Sequence, residues 1–321
     1  MTLMERLQSP DAEVRRLAVL DLPYSDEIDE ITEPLVLALA DPSAAVRAEA
    51  ARALEGDEAH EALEALVPLL ADPAPEVREA VAGTLGELKM ASSAGPLLPW
   101  LTHADPFVKA SALRAIKALR VAAAFEPALA ALKDADPQVR REAVGVLGYL
   151  KRTDALGALT ATAAHDVDPE VRRAAVGAMG FAGEVERVSV LPALRAALSD
   201  SVWQVRDEAA TTLGKLAVPL AAPDLINALG DPYWQVRVKA ARSLGRLKMA
   251  EAVQPLAEQL SHEISNLRKE AVIALGEIAD VRAIAPLERA LGDPDPDVRK
   301  LAKLALMTIQ MKAPAALGVQ P

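Results

Sequence analysis

An apolar motif returns along the chain at steps of 31 to 34 residues. A Val-Arg pair stands at Val14-Arg15, Val46-Arg47, Val77-Arg78, Val139-Arg140, Val171-Arg172, Val205-Arg206, Val236-Arg237 and Val298-Arg299, with Val108-Lys109 and Leu267-Arg268 as variants. Four residues after each leading Val or Leu comes Ala, with Val81 the exception. Eight after it comes Leu, Ile or Met, from Leu22 through Met179 to Leu306. Offsets 0, 4 and 8 share one side of an α-helix, so the motif predicts ten amphipathic helices with one apolar stripe each. Five residues before the leading residue most units carry Asp: Asp41, Asp72, Asp134, Asp166, Asp200, Asp231 and Asp293. Ser9, His103 and His262 hold that place in the others. A second apolar run precedes the Asp, with a proline near its start (Pro34, Pro96, Pro127, Pro255, Pro286), where a missing N–H costs little.

Each unit therefore reads as helix A, a short turn, then helix B. A hairpin of this size cannot bury both faces alone, so successive units must stack. The expected fold is all-α: a right-handed α-α superhelix of ten hairpins over residues 1–311, followed by a flexible tail at 312–321. The turn Asp and Arg are expected to form a ladder between adjacent units. A Gly often follows the offset-8 residue (Gly86, Gly148, Gly180, Gly214, Gly245, Gly276) and is expected to weaken helix B near its end. The one long step, 34 residues from Val171 to Val205, predicts a break in curvature near 180–186.

Composition changes this picture in two ways. The chain has no cysteine, so disulfides, thiolate metal sites and a cysteine nucleophile are excluded. Its start shows no basic region leading into an apolar run, and no stretch of about 20 apolar residues occurs; a cytoplasmic protein without membrane contact is expected. The net charge of −11 disfavours nucleic acid as a partner. That charge is uneven: residues 203–272 hold nine Lys/Arg against eight Asp/Glu, a net of +1, so the remainder carries −12.

The run Asp231-Pro232-Tyr233-Trp234-Gln235-Val236-Arg237, followed by Ala240, Leu244 and Gly245, closely resembles the HEAT-like repeat named after phycobiliprotein (PBS) lyases. The resemblance covers about residues 1–311. It implies a binding solenoid in general, a bilin lyase in some relatives, and in others an iron-dependent hydroxylase with His-Glu dyads. Only His60-Glu61 and His262-Glu263 are His-Glu pairs here, and they occupy different repeat positions, so no metal centre is expected. No phosphate-binding loop or nucleophile-base pattern is present either, and no catalytic residue or cofactor is assigned.

In such arrays helix B lines the concave surface. With its core at offsets 0, 4 and 8, the exposed stripe is expected at −1, +3, +6 and +10. Six of the nine aromatic residues fall on or beside it: Phe107, Tyr149, Phe181, Trp203, Tyr233 and Trp234. Gln235, Lys239, Arg242 and Arg246 continue it in the eighth unit, giving a basic row near aromatic anchors that suits an acidic segment. Gly83, Gly145 and Gly177 either deepen this groove or admit a neighbouring helix. In the last unit the stripe holds Leu301 and Leu304, to be covered by the tail or by another subunit. The expected function is a non-catalytic scaffold holding a protein or peptide partner; the alternative is a tetrapyrrole-handling protein related to bilin lyases.

Overall fold

The computed structural model describes residues 1–25, 28 and 30–316, with side chains of the last helix as far as Lys312. Every regular element among them is helical. The chain divides into two compact units, Met1–Arg152 and Thr153–Pro321. The first holds helices B at Ala12–Asp21, Ala44–Ala53, Pro75–Gly86, Pro106–Lys117 and Pro137–Leu150. The second holds helices B at Pro169–Ala178, Trp203–Leu216, Trp234–Leu247, Ser265–Ile278 and Pro296–Ala316. The last helix enters the segment expected to be a loose tail; residues 317–321 lie outside the described residues. The break expected at 180–186 falls inside the second unit.

The repeat stripe is the core. Every leading residue after Val14 is buried, as are all ten offset-4 and all ten offset-8 side chains. Helix A meets this stripe with Leu35, Leu66, Leu97, Leu159, Leu194, Leu225, Leu256 and Leu287, each fully buried. The prolines at 34, 96, 127, 255 and 286 each take the third position of helix A, where no i−4 acceptor is lost. The long unit has an A helix of 11 residues, Arg187–Ala197, with Pro192 inside it; those at Phe125–Ala131 and Ala222–Ala228 have seven.

The ladder is present in both units. Arg15 pairs with Asp41 at 2.7 Å, Arg47 with Asp72 at 2.8 Å and Lys109 with Asp134 at 2.6 Å. In the second unit Arg172 pairs with Asp200 at 2.8 Å, Arg206 with Asp231 at 2.6 Å and Arg268 with Asp293 at 2.7 Å. Each of these arginines also donates through Nη1 to a carbonyl of its own turn, while the Asp accepts the N–H two residues on, as in Ser43 N–H to Asp41 at 2.7 Å. One carboxylate thus ties a turn to itself and to the preceding unit.

The helix Pro75–Gly86 ends at its glycine and Pro169–Ala178 ends before Gly180, as helix weakening expects, but three of the glycines after offset 8 need a different account. Gly214, Gly245 and Gly276 are buried within continuous helices. A Cβ at these positions would stand 2.9 Å from Ser243 Cα, 2.8 Å from Ala274 Cα and 3.2 Å from Ala305 Cα. Glycine there lets consecutive B helices touch backbone to backbone. The helices end instead at Lys151, Ala217, Lys248 and Ala279, which take left-handed φ of 52° to 57° without being glycine.

Candidate functional site

The close approach of B helices alters the stripe that offsets alone suggest. Position +3 is buried in four of the helices, at Ala80, Ser111, Glu142 and Glu270, and half-buried at Glu49, Ala174, Glu208, Lys239 and Leu301. It serves as a receptor for the +6 side chain of the unit before. Arg114 lies 3.4 Å from Glu142, joined by Lys117 at 3.3 Å. Arg242 donates to both oxygens of Glu270 at 2.9 and 2.7 Å. The exposed surface of helix B is therefore narrower than expected, and one of the expected anchors, Arg242, is engaged within the protein. Of the mid-helix glycines, Gly83 faces open space and lines a cavity of about 850 Å³. Gly145 lies under Lys117 and Gly177 under Glu208.

Of the expected site residues, Phe107 and Tyr149 belong to the first unit and the other eight to the second. Phe107 carries the Arg78 guanidinium 4.4 Å above its ring, and Tyr149 faces Arg120 at 5.6 Å. In the second unit Trp203 stacks on Tyr233 with ring centres 5.6 Å apart and planes within 14°. Arg206, the ladder residue, lies 5.6 Å from the centre of the Tyr233 ring. Tyr233 is 46% exposed, so this cluster of ring and cation is in part open to solvent. Trp234 is half-buried at the first position of its helix. Gln235 beside it keeps its side-chain oxygen buried without a hydrogen-bond donor among the described residues.

The basic row leads away from this aromatic group. Arg246 follows Trp234 by 12 residues, about 18 Å along the helix axis. Lys239 lies near Asp207 and Glu208, whose carboxyl groups burial holds above their ordinary range, opposed by the Lys239 and Arg173 charges. Phe181 is half-buried at the end of its repeat, after Pro169–Ala178. The structure joins Trp203, Tyr233 and Arg206 in one cluster, and sets Arg246 at the far end of its helix.

The histidines have turn and packing partners. His103 and His262 replace the ladder Asp, and each accepts, through Nδ1, the N–H two residues on at 3.0 Å, as the Asp does elsewhere. His103 also stacks on Trp100, with ring centres 5.5 Å apart. His60 Nδ1 lies 2.8 Å from Ser93 Oγ. Among the described residues no group of three His, Asp or Glu side chains could hold a metal ion, and no helix is long and apolar enough to cross a membrane.

Sequence reasoning missed Lys248, Ile273 and Lys312, which share a groove with Arg246, Leu301 and Leu304. Offset counting could have found Ile273: it occupies +6 in its unit, where Arg242 stands one unit earlier.

The family model of HEAT repeats matches residues 32–117, 125–214 and 222–307. That of the PBS lyase HEAT-like repeat matches residues 205–231. No curated protein matches the chain. Among solved structures, an engineered protein is similar with 24% identity and a TM-score of 0.53, over 96% of this chain and 98% of that one. Kap95p, described with RanGDP, is similar with 15% identity and a TM-score of 0.67, over 96% of this chain and 49% of that one. At such identities the likeness is one of fold.

Proposed function

We propose that this chain, which belongs to the HEAT-repeat family, is a non-catalytic scaffold that holds a protein or peptide partner on the helix-B side of its second unit. The observation that carries this reading is the stacked Trp203–Tyr233 pair, with the Arg206 guanidinium 5.6 Å from the Tyr233 ring and Tyr233 exposed to solvent. Aromatic rings held by a rigid neighbour lose little entropy on binding, and Trp, Tyr and Arg dominate the energetics of interfaces. The ladder supports the rigidity, since Arg206 is fixed by Asp231 and by the Asp200 carbonyl at 2.8 Å. The positive balance of residues 203–272 in an otherwise acidic chain favours a partner with an acidic segment. The fold likeness to Kap95p, described as binding RanGDP, agrees with a binding role.

The test is affinity capture from native lysate with wild type beside a Trp203→Ala/Trp234→Ala variant of unchanged helicity. The reading expects a partner retained by wild type and reduced at least about tenfold by the variant. Equal capture by both forms would remove the aromatic cluster from the interface. A coloured eluate would point to a pigment in its place.

A further inference from the structure

The last three B helices enclose a groove of about 580 Å³. Its walls come from Trp234–Leu247, Ser265–Ile278 and Pro296–Ala316. In the preceding step along the array, offset +6 and the next unit's +3 hold the ion pair Arg242–Glu270. In the final step the same two offsets hold Ile273 and Leu301, and the next +6 is Leu304. Charge has given way to an apolar floor, which is not covered: Ile273 is 36% and Leu304 52% exposed. The floor is shallow in side chains because Gly276 and Ala305 bring the helices into contact beneath it.

The rim is cationic. Arg246, Lys248 and Lys312 border the groove against the single carboxylate Glu277, in a protein of net charge −11. Among the described residues none of these three cations has an ion-pair partner, whereas Arg242 one turn before Arg246 does. An apolar strip flanked by unpaired cations is complementary to apolar side chains flanked by carboxylates.

Resting on the scaffold reading above, we infer that this groove docks a segment of a partner protein whose Leu, Ile or Phe side chains fill the Ile273–Leu304 floor while Asp or Glu beside them meet Arg246, Lys248 and Lys312. The segment is extended or helical over a few turns, since the groove follows three helices laid side by side. Its binding weakens with salt, because the rim charges are exposed.

The probe is a displayed library of random peptides about 15 residues long, four helical turns, selected on the full chain. The expected result is enrichment of peptides that combine large apolar residues with net negative charge. A synthesised member should bind wild type and lose about tenfold or more in affinity to Leu304→Glu and to Arg246→Glu. The same peptide should bind Trp203→Ala/Trp234→Ala unchanged. Both groove positions are solvent-facing, and unaltered circular dichroism and melting show that the variants fold. Enriched peptides that are neutral or basic, or that bind Leu304→Glu and wild type alike, overturn the inference. So does wild-type self-association abolished by Leu304→Glu, which would make a second copy the occupant. Peptides lost only with the two tryptophans would sink the groove and leave the scaffold reading standing; peptides lost only with Leu304 and Arg246 are the expected result, and the lysate capture above tests the aromatic cluster separately.

Discussion

Asp231 accepts hydrogen bonds from Nε and Nη2 of Arg206 at 2.6 and 3.0 Å and from the Tyr233 N–H at 2.8 Å, and it is nearly excluded from water. Removing the arginine would leave that carboxylate with one donor in a dry site. Arg206→Ala is therefore expected to cost about 2–3 kcal/mol, read by chemical denaturation. The opposite change is available one unit on. Arg237 is followed after 25 residues by His262 rather than Asp, and makes its turn hydrogen bond to the Asp231 carbonyl alone. His262→Asp would keep the acceptor for the Ile264 N–H and supply the missing carboxylate. It is expected to raise stability by about 0.5–1.5 kcal/mol; a lower denaturation midpoint would show that the imidazole has a packing role that Asp cannot replace. The ladder was legible in the sequence because Arg and Asp recur in phase. What His does at the Asp position was not, since the recurrence hides that Nδ1 can accept the same N–H that Oδ1 does.

Helix B shows where pattern and geometry part. Offsets 0, 4 and 8 located the core of all ten helices, because burial follows helical period directly. From pattern alone the glycine after them is expected to weaken the helix near its end, yet Trp203–Leu216, Trp234–Leu247 and Ser265–Ile278 each run two residues past it. Its meaning depends on the neighbouring backbone, which lies 29 residues away in sequence (Gly214 to Ser243, Gly245 to Ala274, Gly276 to Ala305) and carries no local signal. Gly245→Ala is expected to destabilise by about 1–3 kcal/mol through overpacking against Ala274, whereas a helix-propensity account predicts a gain. Thermal melting separates the two by sign. The true ends invite the reverse substitution. Ala217 and Ala279 have φ of 53° and 57°, a conformation that a Cβ disfavours. Ala217→Gly is expected to stabilise by about 0.5–1 kcal/mol, with no change in helix content by circular dichroism.

Across each unit, the titrating groups set how the fold responds to acid. Asp41 and Asp293 are held below the ordinary carboxylate value mainly by their arginine hydrogen bonds. In Asp72, Asp134, Asp200 and Asp231 burial pushes upward, but the Arg or Lys partner and the turn N–H outweigh it. Such groups add stability that is complete above the unfolded value near pH 4 and lost as pH falls through their lower folded values. Asp207 and Glu208 are shifted the other way by burial, so they lose stability as pH rises through the interval between unfolded and folded values. Denaturation followed from neutral pH downward is expected to show a small gain in stability before the ladder fails. Asp207→Asn should diminish the gain and leave the later loss in place; a monotonic fall in wild type would contradict the raised carboxyls. The candidate site was half legible at this scale. Aromatics and cations were found by offset, but helix length separates Arg246 from Trp234, and the ion pair to Glu270 engages Arg242.

The most direct trial of a partner on the helix-B side is site-specific photocrosslinking in native lysate. A photoreactive residue replaces Tyr233, 46% exposed at the start of the helix B Trp234–Leu247, or Val188, 64% exposed on the helix A of the preceding repeat. The scaffold account predicts one discrete covalent adduct from position 233 and none from 188. An adduct from 188 with none from 233 would place the partner on the other side of the repeats and contradict it.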